Sequence, residues 1–413
     1  MWVAVAIGAV AIMLIGGLAL VARDDGSNLA APRPRSSASS SASSEQQTSS
    51  DSSSSERSVP PPTATAPQSF DAAIADIKRF VERERGLKFT KDVPVHLAGE
   101  GDFQSQLGPL LDQEKPALLE EQEVLVSLGL LDPGSDLVAL TRTLAEAGVV
   151  GFYNPSTGDL VVRGTAPTPY VRQVIAHELT HALDDQHFNL NRPQLDTADD
   201  ETSFGFASLT EGDARRVEDA YLASLSPRDQ SKSFDEQLQL LGNASALFSL
   251  PPIILTLNQE PYEQGPVLIR ALLGAGQQAR LDAAFGAPPT TSEQVLDPSV
   301  YLRGEGAVPV ATPTPDGTVS NKGAIGAFLL RELLSSGGLP DREVAKAVQG
   351  WGGDAYVTWH DGQGRSCIKA ALVGDTAADT AEIATALDDW KTGSGAAVDR
   401  AADGSAVTLS RCA

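Results

Sequence analysis

Two of the five histidines in this 413-residue chain stand four positions apart, in His177-Glu178-Leu179-Thr180-His181. That spacing constrains the fold more than any other feature. Residues at i and i+4 project from one face of an α-helix about one turn apart, so both imidazoles meet at one point only if the segment is helical. Pro169 suits the first turn of that helix. Val171, Ile175, Leu179, Ala182 and Leu183 form an apolar stripe opposite the histidines, which predicts a helix packed by one face and open to a cleft on the other. An HExxH pattern offers two ligands to Zn²⁺ and places Glu178 to take a proton from an attacking water.

A hydrolytic zinc site takes a third protein ligand and leaves one position open. Glu211 lies on a second predicted helix, whose apolar stripe is Val217, Ala220, Tyr221 and Leu225. A carboxylate from such a helix completes a His₂Glu set, with Glu218 and Asp213 as fallback ligands. His187 is the competitor, at the spacing of the metzincin pattern HExxHxxGxxH. Asp184 occupies the place of that pattern's chain-turning glycine, and the only methionines are Met1 and Met13, so no methionine turn follows. Along an unbroken helix His187 points away from the other two histidines. Metal-bound imidazoles usually donate to a carboxylate, and Asp184 and Asp185 are the candidates for that role.

The HELTH core reads as in thermolysin-like enzymes, and with Glu211 as third ligand the chain resembles a gluzincin, an HExxH zinc metallopeptidase of the zincin group. The longer run over residues 177–188 resembles a group of exported bacterial zincin-like proteins, as do Pro261-Tyr262 with Gly265, residues 288–294, and Trp351-Gly352-Gly353-Asp354. These motifs cover a small part of the chain. The resemblance implies an α+β zincin-like catalytic domain, built of an edge β-hairpin, the HExxH helix and a glutamate helix, with mostly helical surroundings. It also implies a Zn²⁺ cofactor. The thermolysin pattern NExxSD is absent around Glu211, and Arg215 stands at the spacing of its aspartate. That residue's role is therefore not carried over.

Residues 1–22 form an uncharged apolar segment that spans about 31 Å as a helix, enough for a transmembrane signal anchor. Residues 23–68 are a Ser/Pro-rich stretch with too little apolar surface to fold, read as a disordered stalk. The zincin-like domain is expected over 69–300 and a small α+β support module over 301–413. No Lys or Arg precedes the apolar segment, while Arg23, Arg33 and Arg35 follow it, which alone places the body in the cytoplasm. The stalk and the pair Cys367 and Cys412, expected to form a disulfide, outweigh this and place it outside. The alternative is secretion after cleavage of a signal peptide. With 31 basic against 54 acidic side chains the net charge is −23, which argues against nucleic acid as a partner.

The hairpin at residues 149–163 is expected to present an edge to an extended peptide, with Val161 or Val162 facing the cleft. The acidic run 196–201 reads as a plain loop rather than a Ca²⁺ site. Tyr221, Tyr262, Tyr356 and His360 are unranked candidates for a second donor to the substrate carbonyl, and Trp351 and Asp354 read as core and turn residues. The expected function is a zinc metalloendopeptidase acting on peptides or proteins outside the cytoplasmic membrane. Two alternatives are a catalytically silent zincin-fold binding protein and a hydrolase of non-protein cell-envelope amides. The intact Glu178 disfavours the silent one.

Overall fold

The computed structural model describes residues 69–196 and 201–413, so the segments 1–22 and 23–68 and most of the acidic run 196–201 lie outside the described residues. Among the described residues no helix is long and apolar enough to cross a membrane. The chain is mixed α+β with two separate sheets. Helix α1 (Phe70–Arg85) starts where the Ser69 side chain accepts from the Ala72 N–H and stops at Gly86 in the left-handed region. Strand β1 (Val95–Ala98) and helices α2 (Glu100–Leu128) and α3 (Leu137–Gly148) follow, the helices parted at Asp132-Pro133-Gly134.

The hairpin β2 (Gly151–Asn154) and β3 (Asp159–Arg163) leads into α4 (Pro169–Phe188), the HExxH helix, with Pro169 in its first turn and the Thr168 side chain as cap. Then come α5 (Pro193–Asp196), α6 (Thr202–Ser224), α7 (Pro227–Asn243), α8 (Pro252–Gly286), α9 (Ser292–Leu296) and α10 (Pro298–Arg303). The last part runs β4 (Val319–Gly323), α11 (Gly326–Ser336), α12 (Asp341–Gln349), β5 (Trp351–His360), β6 (Ser366–Gly374), α13 (Ala377–Trp390), β7 (Ala397–Arg400) and β8 (Val407–Cys412).

The first sheet has the order β1-β3-β2, with β3 parallel to β1 and antiparallel to β2. The expectation that Val161 or Val162 lies at a free edge is therefore corrected. Strand β3 is central, and its amides alternate between its two neighbours: Leu160 N–H bonds the Pro94 carbonyl on one side, Arg163 N–H the Val150 carbonyl on the other. The edges are β1 and β2, and within the hairpin the edge strand is β2. Because Val150 faces β3, the alternate residues Gly151 and Tyr153 direct their backbone groups outward.

The second sheet is antiparallel throughout, in the order β4-β5-β6-β8-β7. Cys367 and Cys412 sit opposite each other on β6 and β8 and are joined as a disulfide, closing a loop with a sequence separation of 45. On the chain-entropy account that loop contributes about 4 kcal/mol. Asp354 accepts from the backbone of Ile325 and Gly326 and from Trp351 Nε1, so this motif anchors the start of α11 to β5. One apolar core runs from α2 and α3 through α6 and α8 to α11, α13 and the second sheet, crossing residue 300 without a break. A second core joins α1, the first sheet, α4 and the Val217–Tyr221 side of α6.

Arg85, at the end of α1, has no access to solvent. Its guanidinium meets Asp184 of α4 at 2.8 Å, Asp282 of α8 at 2.7 Å and Asp213 of α6, between the rings of Phe188 and Phe285. Burial opposes its charge, and the three carboxylates more than offset that. A planar fork with five donors reaches partners spread around its whole edge, a wider span than the single ammonium of a lysine covers. Arg85→Ala leaves Asp184 buried without its cation, while Asp213 keeps Arg216, and the expected cost is about 3–5 kcal/mol, read from denaturant unfolding. Arg85→Lys should recover little of it. An unchanged unfolding midpoint in the alanine variant would show that the cluster contributes nothing net.

Candidate metal centre

Helix α4 is buried on nearly every side, rather than along one stripe, because α6 and α7 fold over the face that carries the histidines. His177, His181 and Glu211 converge there. His177 Nε2 lies 3.1 Å from His181 Nε2 and 3.2 Å from Glu211 Oε2, and His181 Nε2 lies 3.5 Å from the same oxygen. Three ligands held about 2.1 Å from a tetrahedral ion stand about 3.4 Å from one another. The triangle thus has the dimensions of three corners of such a shell, and these three residues could hold a divalent cation.

The fallback carboxylates and the competing histidine go elsewhere. His187 Nε2 faces the Lys88 carbonyl at 2.8 Å, away from the triangle. Asp213 belongs to the Arg85 cluster. The expectation that Asp184 or Asp185 orients an imidazole is also corrected. Asp184 pairs with Arg85, while Asp185 accepts from Tyr153 Oη at 2.9 Å and from the Leu190 N–H. Each acid is held by a partner outside the triangle, Asp184 by Arg85 of α1 and Asp185 by Tyr153 of β2.

Glu218 takes that role instead, with Oε2 at 3.1 Å from His177 Nδ1. It stands seven positions, or two turns, after Glu211 on the same face of α6, so one helix supplies a carboxylate to each nitrogen of His177. The sequence carried this signal as the i,i+7 spacing of two acids.

Tyr262 is the other residue the structure selects. Its ring stacks on that of His177 at 6.2 Å between centroids. The hydroxyl bonds Glu211, and burial, with Glu211 and Glu178, holds its pKa well above the ordinary value, so it remains a donor. Close helix packing brings it there. A Cβ on Gly265 would stand 2.3 Å from the Ser208 carbonyl oxygen, and one on Gly212 would stand 2.3 Å from the Gly265 carbonyl carbon. Two glycines therefore let the backbones of α6 and α8 touch one turn from Tyr262.

Glu178 lies under β2. A Cβ on Gly151 would meet Glu178 Cγ at 3.3 Å and Val174 Cγ1 at 2.5 Å, so only glycine admits the strand this close to α4. Burial pushes Glu178 up to about 8; His177 opposes this and Glu211 adds to it. For His177, burial alone would lower the pKa, but hydrogen bonds to Glu211 and Glu218 raise it to about 10. Burial likewise opposes the charge of Glu211, and the two imidazoles still hold that carboxyl down to about 2.

Without a cation the folded site thus keeps a proton on His177 at neutral pH. A folded pKa above the unfolded value gives a stabilisation complete below about 6.5 and lost as pH rises through about 10. Chelator-treated protein should therefore melt lower at each step from pH 7 to 10, while cation loading at pH 7 should release protons, seen as buffer-dependent heat. Glu211→Ala should abolish stoichiometric binding of a divalent metal, and His187→Ala should leave it intact, both measured by metal analysis after gel filtration. Loss of metal in the His187 variant alone would reverse the ligand assignment.

Compared with models of known protein families, with curated proteins and with solved structures, the chain matches none.

Proposed function

We propose that this protein is a zinc-dependent peptidase of zincin type, with His177, His181 and Glu211 as zinc ligands and Glu178 as the general base. The reading is carried by one observation: two imidazoles and a carboxylate form a triangle of coordination size, with a base beside it. Nitrogen and carboxylate donors at these spacings suit Zn²⁺. When bound, the ion supplies Lewis acidity toward the scissile carbonyl. The residues do the rest. Glu178 takes a proton from the attacking water and passes it to the leaving amine, and a pKa displaced toward neutrality suits both transfers. Tyr262 donates from its hydroxyl to the carbonyl oxygen as charge develops there.

The zincin likeness is supported by order as well as by chemistry: an edge strand, the HExxH helix, then the glutamate helix. A disulfide between the two cysteines favours an oxidising compartment, and with the apolar leader of residues 1–22 it supports a body outside the cytoplasmic membrane. Gly151 and Tyr153, whose backbone groups face away from β3, border Glu178, and the Tyr153 N–H bonds its carboxylate, so an extended peptide adding to that edge would lie across the base.

Glu178→Gln should retain zinc and lose peptide hydrolysis, and Tyr262→Phe should retain zinc and lower kcat by about 10²–10³. Turnover at wild-type rate in the glutamine variant would sink the mechanism. Edge binding is tested from the substrate side. N-methylation of single amides in a cleaved peptide should raise KM at alternate positions, because strand pairing uses every second amide. A KM indifferent to N-methylation would take β2 out of the substrate site.

A further inference from the structure

His177 is the end of a longer chain of buried polar groups. Gln173 stands one turn before it on α4, Glu218 faces both from α6, and Ser233 reaches in from α7; all three are buried. Ser233 Oγ donates to Gln173 Oε1 at 2.6 Å, and Gln237 Nε2 donates to the same oxygen at 3.4 Å. The oxygen of the Gln173 amide being taken, its NH₂ turns to Glu218 Oε1 at 2.5 Å. The flipped amide would set two acceptor oxygens against each other in a buried space, which costs the full desolvation of both. Glu218 Oε2 then accepts from His177 Nδ1. When the Nε2 proton leaves on cation loading, the imidazole keeps its proton on Nδ1 and has its lone pair on Nε2, the nitrogen that points into the triangle.

We infer that Gln173 and Ser233 are positioning residues that hold the Glu218 carboxylate against His177 Nδ1, so that Nε2 is left as the ligand, and that α7 is thereby part of the metal site. Neither residue touches the triangle. Each holds the next group in place, and Arg215 braces Glu218 from the side at 3.4 Å. Helix α7 lies outside both ligand-bearing segments and reaches the site through this chain. Its value for catalysis rests on the zinc peptidase reading, whereas the direction of the chain rests on the packing alone.

The test uses full-length protein and the variants Gln173→Met, Ser233→Ala and Ser233→Thr. Zinc affinity is read by competition with a chromophoric chelator. Gln173→Met should weaken it by about 10–100-fold, Ser233→Ala by less, and Ser233→Thr should stay within about twofold of wild type. In metal-free protein the His177 Nδ1–H should appear as a slowly exchanging proton resonance that shifts or broadens in Gln173→Met and Ser233→Ala. A lowered melting temperature with unchanged zinc affinity and an unmoved resonance would mean that the chain only supports packing, and the inference would fall. Should wild type bind no zinc, the peptidase reading fails, and the resonance in the metal-free variants still decides this inference. If Gln173→Met does not fold, Ser233→Ala decides both readouts.

Discussion

Arg85 is a cation with no route to water, and carboxylates from three helices meet its guanidinium. Two of those helices carry the residues of the histidine–carboxylate triangle. Asp184 follows His181 by three positions on α4, and Asp213 follows Glu211 by two on α6, so the guanidinium ties together the backs of the two ligand segments. Separating α4 from α6 would expose or strand charge at this point, which is costly. The histidine–carboxylate triangle is built from the same two helices. The first helix of the folded body, far from HExxH in sequence, reaches both ligand-side helices through this one charged side chain and through the apolar core it shares with them.

On the ligand side the same economy of helices recurs. Helix α6 presents Glu211 and Glu218 two turns apart and brackets His177 between them. The contact of Gly212 with Gly265 then brings α8 close enough for Tyr262 to stack on the imidazole. Gly151 does the same service for β2 above Glu178. Each glycine is explained by a backbone approach, and each approach delivers a functional group. Burial strengthens every electrostatic interaction in the site: it raises Glu178 directly, whereas His177 and Glu211 are displaced against their own burial by the partners that face them.

The motifs outside the HExxH helix separate into two kinds. Tyr262 and Gly265 belong to the site. The others are joints: a Cβ on Gly205 would stand 2.1 Å from the Pro289 carbonyl oxygen, Ser292 N–H bonds Glu201 at the start of α6, and Trp351 with Asp354 secures α11. These joints carry the position of α6 across to the second sheet through one continuous core. The C-terminal part therefore bears on the candidate metal site through the helix it packs against.

Local spacing determined a good deal by itself. The i,i+4 histidines, the first-turn proline of α4, the break at Asp132-Pro133-Gly134, the hairpin and the mixed helix and strand content all follow from periodicity and turn chemistry, which act over a few residues. The pairing of Cys367 with Cys412 was legible because only two cysteines exist. What local rules do not contain is the direction in which one element faces another. Strand order made β3 central and β2 the edge, a fact set by the parallel partner β1 from some sixty residues upstream. Asp184 and Asp185 follow His181 by about one turn, yet partners on α1 and β2 hold them, and Glu218 takes the role from another helix. Tyr262 could not be ranked among the tyrosines until a glycine crossing showed which helix approaches the site. Spacing along a helix fixes a face; only packing between helices decides what that face meets.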